Sequence, residues 1–279
     1  MPHAYVTVTL LKGTGALNID GTAYDVRLRQ LAEGVSSQID RFCSRTFQPY
    51  DATFKYPGDD GTILLIHDLI AIGTLQEDDN NDGTFDVGWA AADYMLEPAN
   101  AQPTVEWGRP YTSIRVSPKS TGTQDKFVDG PERYQLTGTF GYFGVTRDPS
   151  PNIQTSGSLG STAATINVNT AGIEPGMMVL IDSERIYVQS TVGGTALTVL
   201  RAQRGSTAGT HATTVDLDYF DYPDPVKEAA FIQAARLWTR RNSGFANQIG
   251  IPETGVITSW RGGLDPDVKE LLWPYRKIH

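Results

Sequence analysis

From Thr155 to Thr214 the chain carries one aromatic side chain, Tyr187, and is otherwise mostly Ser, Thr, Gly, Ala and aliphatic residues. This block limits the fold more than any other feature. Without rings or a helical period, its core must come from β-branched residues on short strands. Four runs fit: Thr165 to Val168, Met177 to Ile181, Arg185 to Gln189 and Leu197 to Arg201. Gly193-Gly194 between the last two has the composition of a two-residue hairpin turn. A small barrel or sandwich of this size has a core too modest for much stability alone. The block begins after Arg147-Asp148-Pro149-Ser150-Pro151. The expected division is therefore 1–150, an inserted β-domain over 151–216, and 217–279.

Helical patterns lie on both sides. Tyr24, Leu28, Leu31, Val35, Ile39 and Phe42 recur every three to four residues, which predicts an amphipathic helix ending near Cys43 to Arg45. Thr22 is placed to cap the amide of Asp25. Asp224-Pro225 predicts a second helix, with Asp as cap and Val226, Ala230, Ala234, Leu237 and Trp238 inward, stopped by Asn242-Ser243-Gly244. From Phe245 the chain reads as loop, apart from one short helix over Pro266 to Leu272.

Between Asp51 and Phe143 the period becomes that of strands: Ile63 to Ile66, Tyr94 to Leu96, Ile114 to Val116 and Tyr134 to Phe140. Tyr134, Leu136 and Phe140 share one face, with Thr137 and Thr139 on a wet face. The reading is an α+β fold: helices on a small, mostly antiparallel sheet, with the all-β insertion.

Charge and composition exclude several functions. Lys plus Arg number 23 against 32 Asp plus Glu, a net charge of -9, which disfavours wrapping DNA over the whole surface. The single cysteine, Cys43, excludes an internal disulfide and a cysteine-based zinc site, and its place on the helix face predicts packing. Met1-Pro2-His3-Ala4 does not start a secretory signal, and no run approaches membrane-spanning length, so a soluble protein assembled inside a cell is expected. His3, His67, His211 and His279 have no second His or Cys at metal spacing. There is no phosphate-binding Gly-rich loop and no Gly-x-Ser-x-Gly elbow. His67-Asp68 reads as a strand end followed by a turn. No catalytic residue is assigned, and the chain is not expected to be an enzyme.

Three groups remain as candidates. Asp78, Asn80, Asp82 and Asp86, with Gly83 in sixth place, match the front half of a calcium loop. Trp89 stands where the bidentate Glu belongs, so the expectation is weak calcium or none, with an Asp/Asn/Gly turn as the alternative. Arg27 and Arg29 on the first helix, and Arg236, Arg240 and Arg241 on the second, are either charge-paired surface or the lining of a channel or subunit interface. Trp260, Arg261, Trp273, Tyr275, Arg276 and Lys277 place aromatics and cations on a C-terminal tail with little core of its own. Either a partner supplies that core or the tail folds back on its own sheet.

The order of parts resembles the head-to-tail connector (adaptor) proteins of long-tailed bacteriophages. The carrying segments are the helix from Asp25 into Arg45-Thr46-Phe47, Asp93-Tyr94-Met95-Leu96-Glu97-Pro98, Leu136 to Tyr142, Asp224 to Ala229, and Leu264 to Arg276. The resemblance covers about 1–150 and 217–279. Within the insertion, Glu184 to Val188 and Arg204 to Ala212 resemble a small β-module that recurs in phage virion proteins. The resemblance implies a ring of copies, usually twelvefold, beneath the portal at one capsid vertex. Such a ring extends the DNA channel, is passed by genomic DNA without sequence specificity, and supports a stopper or tail-terminator protein. It implies a place in the virion neck after assembly in the host cytoplasm, with no membrane involved. The tail residues would then be the portal dock. A tail-completion or tail-terminator ring is the alternative, followed by a carbohydrate-binding β-module protein.

Overall fold

The computed structural model describes residues 2–13, 15–106, 108–119, 124–241, 248–251, 256–259 and 263–277. The chain forms two compact units. One comprises Met1–Arg45, Arg147–Arg201 and Ala208–His279, the other Thr46–Thr146 and Ala202–Thr207. Together they make a mixed α+β fold, mostly β, with two antiparallel sheets.

The second unit is built on strands β1 (Tyr50–Gly58), β2 (Ile63–Glu77), β3 (Val87–Gly88), β4 (Tyr94–Glu97), β5 (Tyr111–Val116) and β6 (Gly130–Phe140). Their order is β1-β6-β2-β5-β4, with β3 also on β2. Tyr134, Leu136 and Phe140 point into the core as their alternation predicts. On the other face Thr53 and Thr137 share a hydroxyl contact of 2.8 Å, and the Thr139 hydroxyl donates to Asp51 at 2.7 Å. Trp89 stacks on Phe127 at 4.8 Å, and Tyr134 meets both rings edge-on.

Two strand assignments change. β1 lies outside the runs expected above, although Tyr50, Ala52, Phe54 and Tyr56 alternate with Asp51, Thr53 and Lys55 and pack on the core; it pairs with β6 from Tyr50↔Phe140 to Tyr56↔Tyr134. β2 does not stop at His67. Its register against β6 shifts between Leu69 and Ala71 and again between Ile72 and Thr74, and the strand runs on to Glu77. The shifts explain why Asp68, Leu69 and Ile70 are buried in succession and why a strict period of two ended the predicted strand early.

The turn Ala202–Thr207 closes over β1. The Asp51 amide donates to the Arg204 carbonyl at 2.8 Å, and Arg204 Nε donates to Gln48 Oε1 at 3.1 Å. Gly205 sits at φ +83°, where a Cβ would lie 2.2 Å from the Asp51 carbonyl oxygen.

The first unit holds α1 (Val8–Lys12), α2 (Asp25–Cys43), α3 (Asp224–Arg240), α4 (Pro266–Leu272) and the second sheet. That sheet consists of β7 (Thr146–Arg147), β8 (Thr165–Asn167), β9 (Met178–Ile181), β10 (Glu184–Val192), β11 (Ala196–Leu200) and β12 (Asp218–Phe220), in the order β7-β12-β9-β10-β11-β8. All four strands predicted between Thr165 and Arg201 form. Gly193 and Gly194 make the turn at φ +61° and +76°. The core is aliphatic, including Ile166, Val179, Ile181, Ile186, Val188 and Leu197.

α2 buries Leu28, Ala32, Val35, Ser36, Ile39 and Cys43. The inward stripe is therefore turned slightly from the predicted one, because the small residues Ala32 and Ser36 admit neighbouring chain. The Ser36 hydroxyl accepts the Tyr5 amide at 2.9 Å, and His3 to Val6 are all buried. Thr22 does not cap this helix with its side chain; the Asp25 amide donates to the Thr22 backbone carbonyl. Asp224 is likewise the first helical residue and not the cap, which is Pro223. α4 forms as predicted, its cap Asp265 accepting the Asp267 amide. The region read as loop contains a hairpin of β13 (Gln248–Ile251) with β14 (Val256–Ser259). The expected stop Asn242-Ser243-Gly244 lies outside the described residues.

Gly205→Ala is expected to destabilise the protein by about 1–3 kcal/mol through backbone strain and contact with Asp51. Gly157→Ala, with nothing within 4 Å of the added carbon, is expected to be nearly neutral. Denaturant unfolding of both variants checks the contrast.

Candidate functional site

The basic residues of α2 and α3 separate into two groups. Arg29 donates to Glu33 at 2.8 Å, and Glu33 also accepts the Tyr187 hydroxyl at 2.6 Å. Arg236 pairs with Asp265 and, at 3.2 Å, with Asp267. Arg240 is half-buried. Arg29 and Arg236 are thus tied to carboxylates of their own chain and do not form one basic lining.

Arg27 and Arg241 differ. They line a cavity of about 210 Å³ with Leu31, Leu237 and Trp238. The Arg241 guanidinium lies 3.6 Å from the Trp238 ring centroid and 5.1 Å from that of Tyr24. Tyr24 meets Trp238 edge-on at 5.4 Å. Among the described residues, neither guanidinium has an ion pair or a side-chain hydrogen bond. The walls come from one turn of α2 and the last turn of α3, where spacings of three and four residues bring these side chains onto one face.

The C-terminal tail has a core of its own. Leu264, Val268 and Leu272 are buried. Gln233 of α3 accepts the Asp265 amide at 3.1 Å, and the Lys277 amide donates to the Cys43 carbonyl at 2.8 Å. The tail does fold back, but α4 packs on α3 and not on the sheet as expected. What stays outside is Trp273, 64% exposed, with Arg276 4.9 Å from its ring and 5.1 Å from that of Phe42. Tyr275 and Lys277 are half-buried. Trp260 and Arg261 lie outside the described residues.

The Asp-rich loop uses its side chains on its own backbone. Asp78 accepts the Asp82 and Gly83 amides at 3.1 and 2.8 Å, Asn80 accepts the Asp82 amide at 3.0 Å, and Asp82 accepts that of Thr84 at 2.7 Å. These bonds account for the Asp/Asn/Gly content as a turn. Asp86 is exposed. Trp89, in the twelfth position, is buried and donates its indole N–H to Glu77 at 3.2 Å. Among the described residues, no three His, Cys, Asp or Glu side chains are grouped to hold a metal ion.

His67 and Asp68 differ in exposure along β2. His67 is exposed, stacks on Phe54 at 4.4 Å and shares a 2.9 Å hydrogen bond with the Tyr56 hydroxyl; Asp68, next along β2, is buried. Burial pushes the Tyr56 phenol up to about 12. Tyr187, the one ring between Thr155 and Thr214, is fully buried, so it offers no stacking face to a sugar. Burial, then Glu33, raises its phenol.

A polar cluster around the β9–β10 turn is not foreshadowed by the motif spacing. Glu184, 1% exposed, takes a bidentate contact from Arg201 at 2.6 and 2.5 Å and a contact from His211 Nε2 at 2.9 Å; His211 Nδ1 meets Asp182 at 2.6 Å. Arg201 also donates to the carbonyls of Gly160 and Gly209 at 2.9 and 2.8 Å. His211 was weighed only against other His and Cys. Its true partners are carboxylates on one hairpin, a combination that spacing does not reveal.

No helix among the described residues is long and apolar enough to cross a membrane. No protein-family model matches the chain, and no curated protein resembles it closely enough in sequence to count as a relative.

Glu184→Ala strands Arg201 in a buried setting and is expected to cost about 3–5 kcal/mol, measured by chemical denaturation. Burial, partly opposed by Arg45, pushes the Cys43 thiol from an ordinary 9.0 up to about 12. The folded protein should therefore resist iodoacetamide at pH 8 and react once unfolded. Because the folded value is the higher, the contribution of this thiol to stability is present below pH 9 and lost as pH rises towards 12. Mass spectrometry of alkylated protein, with and without denaturant, tests the burial.

Proposed function

We propose that this chain is a structural virion protein, a head-to-tail adaptor whose copies close into a ring between the portal and the tail or its stopper. In this reading 1–150 and 217–279 form the adaptor body, and 151–216 is a guest β-module set into it. The ring, twelvefold by resemblance, lengthens the DNA channel in the virion neck after assembly in the host cytoplasm. Genomic DNA passes without sequence-specific contact, as suits a chain of net charge -9. The role is mechanical, and no residue is assigned to catalysis.

The observation that carries the proposal is the Trp273–Arg276 pair. A 64% exposed indole with a guanidinium against its ring is a costly surface for a solitary protein and an apt anchor for a partner. It stands at the end of α4, whose Val268 and Leu272 are buried, so the anchor is presented on a packed helix. The portal is the partner assigned to it.

Truncation at Gly262 would also uncover the side of α3 that α4 covers, so point variants are the cleaner test. Trp273→Ala combined with Arg276→Ala is expected to weaken capture by portal rings at least tenfold in a pull-down, with an unchanged thermal melt. Imaging of intact particles should place the chain at the portal vertex. Particles that lack the chain and still join heads to tails would reject the adaptor role, whereas unchanged capture would remove only this dock.

A further inference from the structure

We infer that the α2–α3 cavity is a socket for a carboxylate-bearing side chain of a second copy of this chain, read by Arg27 and Arg241 over a floor of Leu31, Leu237 and Trp238. The inference deepens the ring proposal and rests on it. It names the chemistry by which one copy would hold the next.

The argument begins with the contrast among arginines. Arg29 and Arg236 sit on the same two helices and are both neutralised by carboxylates of their own chain. Among the described residues, no carboxylate pairs with Arg27 or Arg241. Two guanidiniums at one cavity repel each other, and an anion between them relieves that repulsion.

Arg241 is also held in place. Its guanidinium lies 3.6 Å over Trp238, which is itself buried, so little side-chain freedom remains to be lost on binding. A planar guanidinium fixed by its face still presents its N–H edge to a carboxylate. The floor is apolar and the cavity, about 210 Å³, is of single-side-chain size. Tyr24, 47% exposed and edge-on to Trp238, continues the apolar surface beside it. An acidic side chain next to an apolar one satisfies both parts.

Charge complementarity identifies the occupant as a second copy. At net charge -9 the chain offers more carboxylates than cations to a neighbour, and this cavity is a place where such a surface meets positive charge. In a head-to-tail contact the socket on one copy meets a different surface of the next, so contacts of this kind can close a ring. DNA is the poorer fit, because two cations on an acidic protein neutralise few phosphates.

The test is sedimentation velocity of the full chain over a concentration series at low and high salt. It compares wild type with Arg27→Glu/Arg241→Glu, Arg27→Gln/Arg241→Gln and Arg41→Glu, the last an exposed arginine of α2 outside the cavity. Wild type should self-associate, more weakly as salt rises. The double charge reversal should weaken association at least tenfold, the glutamine pair less, and Arg41→Glu should match wild type, all with unchanged circular dichroism. Association unaffected by the reversal would overturn the socket while leaving the ring to another surface. A wild type that stays monomeric at every concentration would overturn the second copy as occupant. Retention of duplex DNA that disappears with the reversal, without any change in self-association, would reassign the cavity to phosphate. The ring proposal is judged separately, by where the chain sits in intact particles.

Discussion

Glu184 is the constraint around which the aromatic-poor part of the chain is organised. A carboxylate 1% exposed beside an aliphatic core must find its whole solvation in the protein. Arg201, His211 and the Gly209 amide supply it. In doing so they fix the end of β11 and the strand-free stretch leading to His211. Arg201 spans further to the carbonyls of Gly160 and Gly209, so one ion pair orders chain from four places in the sequence. Buried ion pairs are often replaceable by well-packed hydrocarbon without loss of stability. The polar form also fixes which loop goes where.

On the opposite side of β10, Tyr187 does the corresponding work towards the helices. Its ring is fully buried, and its hydroxyl donates to Glu33, which Arg29 also holds. This is why Glu184 to Val188 are buried without alternation. The strand is covered on both faces, by the aliphatic core and by α2. The same use of Arg29 and Glu33 removes them from the external surface, leaving Arg27 and Arg241 as the cations of the exposed cavity.

Much of the fold was legible because its signals are local. The period of α2, the Pro-initiated α4, the Gly193-Gly194 turn and the four strands between Thr165 and Arg201 depend on residues within a few positions of one another. The misses share the opposite property. β1 is the exception, because Tyr50, Ala52, Phe54 and Tyr56 alternate with polar residues and carry a local strand signal. β2 runs past His67 because irregular register against β6 absorbs a break in alternation. Residues His3 to Val6 are buried because Ser36 and Asp40 of α2 receive the Tyr5 amide and the His3 imidazole. For the candidate surfaces, residue types pointed to the right arginines and to Trp273. They did not distinguish the arginines already neutralised from those left exposed.

The sequence by itself determined the presence of α2, α3 and α4 and of the strands between Thr165 and Arg201, the acidic balance and the absence of a disulfide. These follow from spacing, composition and the backbone preferences of Gly, Pro and Asp, which act over a few residues. Only the tertiary structure decided that the two sheets belong to different units, that Tyr187 faces α2, and that Arg27 meets Arg241 beside Trp238. Each of those outcomes depends on contacts between segments far apart in the chain, where burial and charge pairing outweigh any local preference.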